Sequence, residues 1–195
     1  MKTDALQAAQ WAHDLLQQPF VILDTETTGL REGEIVEISV IDHTGAILIS
    51  SFVKPSRPIP ADAFKIHGIS DAMVANAPGW AALAEAVLDV IGGKRVIVYN
   101  AQYDRRMMHQ SDEASGRGYT NYGKLSRWEC AMEAYAKFWG DWDDWHHSYT
   151  WQRLTTACDQ QGIPEPDAKA HSALGDCLRT RALLQAMAKA AEVQP

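Results

Sequence analysis

In the segment FVILDTETTGL, residues 20–30, four apolar residues lead directly into two acids, Asp24 and Glu26. The short apolar run predicts a buried strand, and side chains two apart on a strand project to the same side. Two carboxylates held so close disfavour joint ionisation, so the pair requires a shared proton, a basic partner or a bound cation. Mg²⁺ and Mn²⁺ suit the pair, because hard cations prefer oxygen ligands. The alternative is a solvated strand end that leads into a turn.

Hydrophobic patterning along the rest of the chain predicts an α/β protein with a mixed sheet. The predicted strands are 20–25, 34–42, 46–53 and 95–99. The second and third of these flank Gly45 as a hairpin, and the proline-rich segment 54–70 predicts an ordered loop. The predicted helices are 4–17, 79–91, 101–114, 128–138, 150–161 and 172–191. The length of 195 residues predicts one domain, residues 1–195, with helix 4–17 packed on it.

The composition excludes several classes of protein. No apolar run approaches the ~20 residues that a membrane span requires, so we expect no membrane association. Three cysteines without a CxxC pair predict reduced thiols and a cytoplasmic protein. The net charge of −7 argues against a protein that coats nucleic acid. It does not exclude a nuclease, because an enzyme can hold phosphates through bound cations.

A third acid follows the predicted strand 95–99, in the segment VIVYNAQYDRRMM. Asn100 is a candidate N-cap, and Asp104 lies in the first turn of the helix that follows, directly after Tyr103. The helix dipole favours a carboxylate at this position. Asp104 therefore has a structural explanation as well as a functional one.

The last cluster lies in the segment KAHSALGDCLRTRALLQAM. Asp176 falls within the predicted helix 172–191, five residues after His171. Because five residues turn a helix by about 140°, the two side chains would not share a face if both were helical. We therefore place His171 on the loop or in the first turn. The structural alternatives are a surface ion pair from Asp176 to Arg179 and an ordinary loop histidine.

Together these segments resemble the three motifs of the DnaQ-like, DEDDh-type 3′→5′ exonucleases. The first motif, DxE with a threonine-glycine turn, corresponds to residues 24–30, and the second pairs Asn100 with Asp104. The third, HxAxxD, corresponds to residues 171–176, and IHGIS at 66–70 is also typical of the family. The resemblance extends over residues 20–190. It implies a ribonuclease H-like fold, with a central mixed five-stranded sheet flanked by helices.

The resemblance also implies a site and a reaction. Two divalent cations, Mg²⁺ or Mn²⁺, would be held by four acids: Asp24, Glu26, Asp104 and Asp176. His171 would act as the general base toward the attacking water, and Asp24 would bridge both ions. The residues in contact with the substrate would be Thr27, Leu30 and His67. The substrate would be the 3′ end of a single strand of DNA or RNA, and the product a nucleoside 5′-monophosphate.

Two further groups of residues have more than one interpretation. Four basic residues could contact phosphates along the strand or could simply be solvated: Arg105, Arg106, Lys169 and Arg179. Five tryptophans lie between the second and third motifs: Trp128, Trp139, Trp142, Trp145 and Trp151. They could form a base-stacking platform, a partner surface or a plug over the core. We predict the plug, because the acids interspersed in GDWDD would repel phosphates.

Two other functions compete with the exonuclease. VILDTETT also resembles the DxDxT start of aspartyl-phosphate phosphatases, with GDWDD as their later acidic motif, but that class requires aspartate in place of Glu26. A non-catalytic nucleic-acid-binding module on the same fold is the second alternative. The choice between DNA and RNA stays open, as does a homodimer. Because the chain stops soon after its last predicted helix, we expect a free-standing nuclease without a polymerase partner.

Overall fold

A computed structural model of the protein describes residues 2–165 and 171–192. Its centre is a five-stranded sheet in the order β3-β2-β1-β4-β5. The strands are β1 (Val21–Thr27), β2 (Ile35–Asp42), β3 (Ile47–Phe52), β4 (Arg95–Val98) and β5 (Arg127–Cys130). β2 pairs antiparallel with β1 and β3, while β4 runs parallel to β1 and β5. The predicted mixed sheet and the hairpin around Gly45 are confirmed.

Helices pack on both faces of this sheet. They are α1 (Lys2–Leu16), α2 (Ala61–His67), α3 (Asp71–Val74), α4 (Trp80–Ile91), α5 (Ala101–Ala114), α6 (Tyr122–Leu125), α7 (Ala131–Trp139), α8 (Leu154–Gln160) and α9 (Ala173–Glu192). Two short strands, β6 (Trp142–Asp143) and β7 (Ser148–Tyr149), form a separate antiparallel pair. Across residues 2–165 and 171–192, no helix has both the length and the apolar character needed to cross a bilayer.

Alternate residues of β1 contact different hydrophobic clusters. Ile22 joins the cluster formed with α1, α7 and α9, whereas Val21 and Leu23 join the cluster formed with α4 and α5. Both faces of β1 are therefore buried, which explains its uninterrupted apolar run. By the same alternation, the two acids of β1 project toward α9, and its two threonines project toward α5.

Besides the short elements α3, α6, β6 and β7, which were not predicted, two segments differ from the sequence prediction. Residues 127–130, which include the start of the predicted helix 128–138, form β5, and α7 begins only at Ala131. Parallel pairing with β4 overrides the local helical tendency in this segment. The predicted loop 54–70 contains α2, which begins directly after Pro60. Proline is tolerated at a helix start, so the prolines of this segment precede a helix and do not exclude one.

Four of the five tryptophans between the second and third motifs are exposed, so the prediction that they plug the core is wrong for them: Trp139, Trp142, Trp145 and Trp151. Trp128 is half-buried and donates a hydrogen bond from Nε1 to the carbonyl of Tyr122 at 2.9 Å. Within the β6–β7 pair, the ring of Trp142 meets Tyr149 edge-on at a centroid distance of 5.0 Å. Trp142 and Tyr149 therefore lie on a small surface hairpin.

Candidate active site

Three half-buried carboxylates from distant parts of the chain converge at the end of β1. Asp24 and Glu26 extend from β1, and Asp176 extends from the first turn of α9. One oxygen from each of the three carboxylates lies within 4.8 Å of the others. The convergence follows from the alternation of β1, which directs its acids toward α9. Oxygen atoms at this spacing can share a divalent cation.

Asp104 lies beside this carboxylate triad but is not part of it. The residue is 3% exposed, and the hydroxyl of Thr25 donates a hydrogen bond to its Oδ1 at 2.7 Å. Burial raises the pKa of Asp24 well above its usual range, and the charge of Asp104 is the next largest cause. The two carboxylates are therefore close. Asn100 occupies the N-cap position of α5, although its side chain makes no capping hydrogen bond.

Burial and mutual repulsion raise the pKa of the acids in this site. Burial, followed by the charges of Asp176 and Glu37, raises the pKa of Glu26 to about 8. Burial also raises the pKa of Asp104 to about 7, although the hydrogen bond from Thr25 acts in the opposite direction. The folded chain therefore holds protons on carboxyl groups that would be ionised at neutral pH in the unfolded chain.

A fifth carboxylate, Glu37, was missed by the sequence analysis. It lies opposite Glu26 in the pairing of β1 with β2. Its Oε2 accepts a hydrogen bond from the backbone N–H of Ala173, the first residue of α9, at 2.9 Å. Ser172 caps the same helix, because its hydroxyl accepts a hydrogen bond from the N–H of Gly175 at 3.2 Å. One feature of the sequence could have identified Glu37 as a site residue. It lies within the apolar strand pattern EIVEIS, where charged residues are rare.

His171 lies in the turn just before α9, and its side chain is exposed. Its φ of 56° falls in the left-handed region, which costs a non-glycine residue roughly 1–3 kcal/mol. Burial raises the pKa of Asp176, while Arg179 and then His171 act to lower it. The imidazole is therefore within electrostatic reach of the triad while facing solvent.

The ion pair between Asp176 and Arg179 forms, but it is not on the surface. Nη1 of Arg179 donates to Oδ1 of Asp176 at 3.1 Å, and Arg179 is only 3% exposed. Arg179 is therefore a buried partner of the triad and cannot contact phosphates from solvent. Among the other basic candidates, Arg105 and Arg106 lie on α5, and Lys169 falls outside the described residues.

A cavity of about 110 Å³ adjoins the triad, and we call it the terminal pocket. Its lining residues are Glu26, Thr27, Gly29, Leu30, Asp62, Ala63, Ile66, His67 and Tyr103. All three residues assigned to substrate contact are therefore brought together, and α2 supplies one wall. Leu30 is 71% exposed, whereas His67 is buried and accepts a hydrogen bond at Nδ1 from the N–H of Ile69 at 2.9 Å. The hydroxyls of Thr27 and Tyr103 are hydrogen-bonded to each other.

The turn that carries Leu30 requires glycine. A Cβ atom on Gly29 would lie 2.8 Å from the carbonyl oxygen of Glu32, and one on Gly33 would lie 2.7 Å from the carbonyl oxygen of Gly29. Both are backbone atoms of the same turn, so neither clash can be relieved by moving a side chain. The glycines therefore allow the tight turn that presents Leu30 at the pocket.

One acid of GDWDD, Asp143, has a structural role elsewhere. Oδ1 of Asp143 accepts hydrogen bonds from the backbone N–H groups of Trp145 and His146, at 2.8 and 3.0 Å. This arrangement caps the turn between β6 and β7. The phosphatase alternative required these acids beside Asp24, and the carboxylate triad contains none of them.

Comparison with known proteins decides the family. Residues 21–184 match a family model, RNase_T, described as an exonuclease. The chain belongs to the RNase T exonuclease family. This confirms the resemblance to DnaQ-like exonucleases, and with it the prediction of a nuclease-type hydrolase.

The alignment with this chain spans different shares of its relatives' lengths. An uncharacterized exonuclease, CP81, from Escherichia phage 186 is 39% identical over 93% of this chain and 94% of its own. Exodeoxyribonuclease 10 from Escherichia coli K12 is 31% identical over 84% of this chain, which spans 66% of that protein. The epsilon subunit of DNA polymerase III from Pasteurella multocida is 36% identical over 43% of this chain, which spans 38% of that subunit.

Solved exonuclease structures share the fold. Exonuclease X in complex with 5′ overhanging duplex DNA has 28% identity and a TM-score of 0.66, over 90% of this chain and 94% of that one. The nuclease domain of 3′hExo, a DEDDh family member bound to rAMP, has a TM-score of 0.67 over 90% and 94% of the two chains. Its 17% identity supports the fold alone. The predicted ribonuclease H-like fold is confirmed.

Proposed function

We propose that this protein hydrolyses the phosphodiester bond at the 3′ end of a nucleic-acid strand and releases nucleoside 5′-monophosphates. The observation that carries the proposal is the convergence of Asp24, Glu26 and Asp176 within 4.8 Å, beside the buried Asp104. The relative exodeoxyribonuclease 10, at 31% identity, supports DNA as one substrate. RNA remains a second candidate, because the proposed contacts are to phosphate, base and cations.

The carboxylates fit a pair of divalent cations, Mg²⁺ or Mn²⁺. The donor atoms are all oxygens, and burial, followed by the charges of the neighbouring acids, raises the pKa of Asp24 and Glu26. Bound cations would offset both causes. The ions would be held by four acids: Asp24, Glu26, Asp104 and Asp176. When bound, such ions stabilise negative charge on the attacking and leaving oxygens and make water more acidic.

His171 would accept the proton of the attacking water. An imidazole suits proton transfer near neutral pH, and this one faces solvent within electrostatic reach of Asp176. Glu37 and Ser172 fix the first turn of α9, directly after His171. Glu37 and Ser172 would therefore position the His171 imidazole without contacting the substrate.

The terminal pocket would receive the last nucleotide of the strand. Leu30 offers an exposed apolar side chain at its rim, where burial against a base is favourable. Thr27 and His67 also line the pocket, so it presents apolar and polar atoms together. Glu26 belongs both to this pocket and to the carboxylate triad, which would place the terminal phosphodiester at the acids.

An end-labelled strand tests the reaction. With Mg²⁺ or Mn²⁺, 5′-labelled single strands of DNA and RNA should give a ladder that shortens from the 3′ end, and a chelator should stop it. A circular single strand has no 3′ end and should stay intact. Internal cuts, or shortening that ignores the chelator, would contradict the proposal. No shortening, but retention of the strand, would support the binding module instead.

The raised pKa values predict how stability depends on pH and on metal. In the metal-free protein, Glu26 with a pKa of about 8 and Asp104 with a pKa of about 7 bind protons that the unfolded chain has released. Their contribution to stability is therefore present at low pH and is lost as pH rises through 7 and 8. Divalent cations require the ionised acids, so their stabilising effect should grow over the same interval.

Thermal unfolding measures both effects. With a chelator, the Tm should fall by several degrees between about pH 6 and about pH 8.5, since about 1 kcal/mol moves the Tm by roughly 2–4 °C. With Mg²⁺ or Mn²⁺, the fall should be smaller. The matched control is Glu26→Gln, whose metal-free Tm should depend less on pH. A Tm difference between metal and chelator that shrinks as pH rises would contradict this interpretation.

The N-terminal helix is proposed to be part of the same domain, residues 1–195. α1 packs along α9 and against α7. Its Ala12 and Leu15 are fully buried in the cluster that also contains Ile22 of β1. The helix thus contributes to the core beneath the site.

A further inference from the structure

A second, larger cavity of about 910 Å³ follows one face of α5, and we call it the α5 groove. One wall consists of helix residues at a spacing of three and four, which places them on a single face: Gln102, Arg105, Arg106, His109, Gln110 and Glu113. The facing wall belongs to the segment 116–123 and includes three glycines and Tyr119. The mechanism proposed above uses none of the side chains in this groove.

The charge of the α5 groove differs from that of the whole chain. Two arginines, Arg105 and Arg106, line it against a single acid, Glu113, while the chain carries a net charge of −7. A guanidinium group presents several donors in a plane that matches phosphate oxygens. The groove thus carries a local excess of positive charge on an acidic protein.

An aromatic platform lies in the same groove. The rings of His109 and Tyr119 are stacked, with centroids 5.0 Å apart and an angle of 2° between their planes. Tyr119 is 80% exposed, so its outer face is open to a further ring. Beneath the stack, His109 meets the buried Tyr122 edge-on at 5.0 Å, and the hydroxyl of Tyr122 donates to Oδ2 of Asp112 at 2.7 Å. Contacts within the protein therefore fix the orientation of the His109 ring in the absence of a ligand.

The α5 groove adjoins the terminal pocket through Arg106. Its Nη2 donates a hydrogen bond to the carbonyl of Leu30 at 2.8 Å, and its guanidinium carbon lies 5.5 Å from the centroid of the Tyr103 ring. Leu30 and Tyr103 both line the terminal pocket, while Arg106 lines the groove. The α5 groove and the terminal pocket are therefore neighbours.

We propose that the α5 groove binds the part of the nucleic-acid strand on the 5′ side of the scissile nucleotide, with Arg105 at a phosphate and Tyr119 stacked on a base. This inference rests on the proposed function, which puts the 3′ nucleotide in the terminal pocket. Cationic grooves combined with aromatic platforms bind single strands with little sequence preference, because every base has a π-face. The groove would therefore make the enzyme favour long strands over dinucleotides.

The test compares Tyr119→Ala and Arg105→Ala with the wild-type enzyme on strands of two lengths, in DNA and in RNA. On strands of about 12 nucleotides, Tyr119→Ala should lower kcat/KM by about fivefold or more, since stacking contributes strongly to such sites. Arg105→Ala should reduce the dependence of log affinity on log salt by about 0.7, the value for one phosphate contact. Turnover of a dinucleotide should not change for either variant.

Matched controls separate the groove from general effects. Tyr119→Phe keeps the stacking face and should behave as wild type. Arg153→Ala removes the same charge from an exposed position at the start of α8 and should leave the salt dependence unchanged. Equal losses on dinucleotides and long strands, or no loss on either, would overturn the inference.

A binding measurement makes the groove testable without catalysis. In the Asp24→Asn background, fluorescence anisotropy of a 5′-labelled strand of about 12 nucleotides should show weaker binding when Tyr119→Ala is added. If the wild type shortens no strand, the proposed reaction is wrong. The anisotropy measurement still shows whether the α5 groove binds the strand. Unchanged anisotropy in the double variant would exclude the groove even if the reaction is confirmed.

Discussion

Asp24→Asn is expected to lower kcat/KM for 3′-end hydrolysis by roughly 10³-fold or more, because the loss of several kcal/mol of charge stabilisation has that effect on rate. Asparagine keeps the size of the side chain but removes its charge. Asp24 lies in the carboxylate triad, and the charges of Asp104, Asp176 and Glu26 act on it.

The same variant should stabilise the protein in the presence of a chelator. Burial and the neighbouring carboxylates raise the pKa of Asp24, so its ionised form is unfavourable in the metal-free fold. Removing that charge should raise the metal-free Tm above neutral pH and weaken the rise that Mg²⁺ or Mn²⁺ produces. Opposite signs for activity and stability distinguish a metal ligand from a residue that only supports the fold.

Asp89→Asn is the matched control for this variant. Asp89 is exposed on α4, outside the triad, and its replacement should change neither kcat/KM nor the effect of divalent ions on the Tm. If Asp24→Asn kept more than about a tenth of the wild-type activity, a shift of only about 1.4 kcal/mol, the proposed role of the triad would be wrong.

His171→Asn is expected to lower kcat by roughly 10²–10⁴-fold, the range for loss of a general base. Asparagine tolerates the left-handed backbone at this position, so the turn before α9 should persist. Because His171 is not in the carboxylate triad, the stabilisation of the protein by divalent ions should remain.

His147→Asn is a close control for the histidine. His147 is also an exposed histidine with a left-handed backbone, at φ 50°, but it lies in the turn between β6 and β7. Its replacement should leave kcat unchanged. A similar loss in both variants, or loss of the metal effect on the Tm in His171→Asn, would show that His171 does not act as the base.

The sequence by itself determined the features that depend on a single segment of the chain. The run from Phe20 to Leu23 specified a buried strand, and the alternation of side chains then put Asp24 and Glu26 on one side of it. The helical pattern after residue 172 placed Asp176 within a helix and His171 on the loop or in the first turn. The structure puts Asp176 in the first turn of α9 and His171 just before it. The order of the three motifs indicated the exonuclease family, which the family match confirms.

Tertiary structure alone decided what depends on pairing between distant segments. β5 became a strand because it lies beside β4, and Glu37 entered the site because the register of β2 sets it opposite Glu26. Thr25 reaches Asp104 only because α5 packs on that face of β1. The α5 groove requires a helix face, a glycine-containing loop and a stacked pair of rings to meet. Such contacts cannot be deduced from periodicity, since periodicity describes one segment at a time, whereas each contact is set by the packing of two.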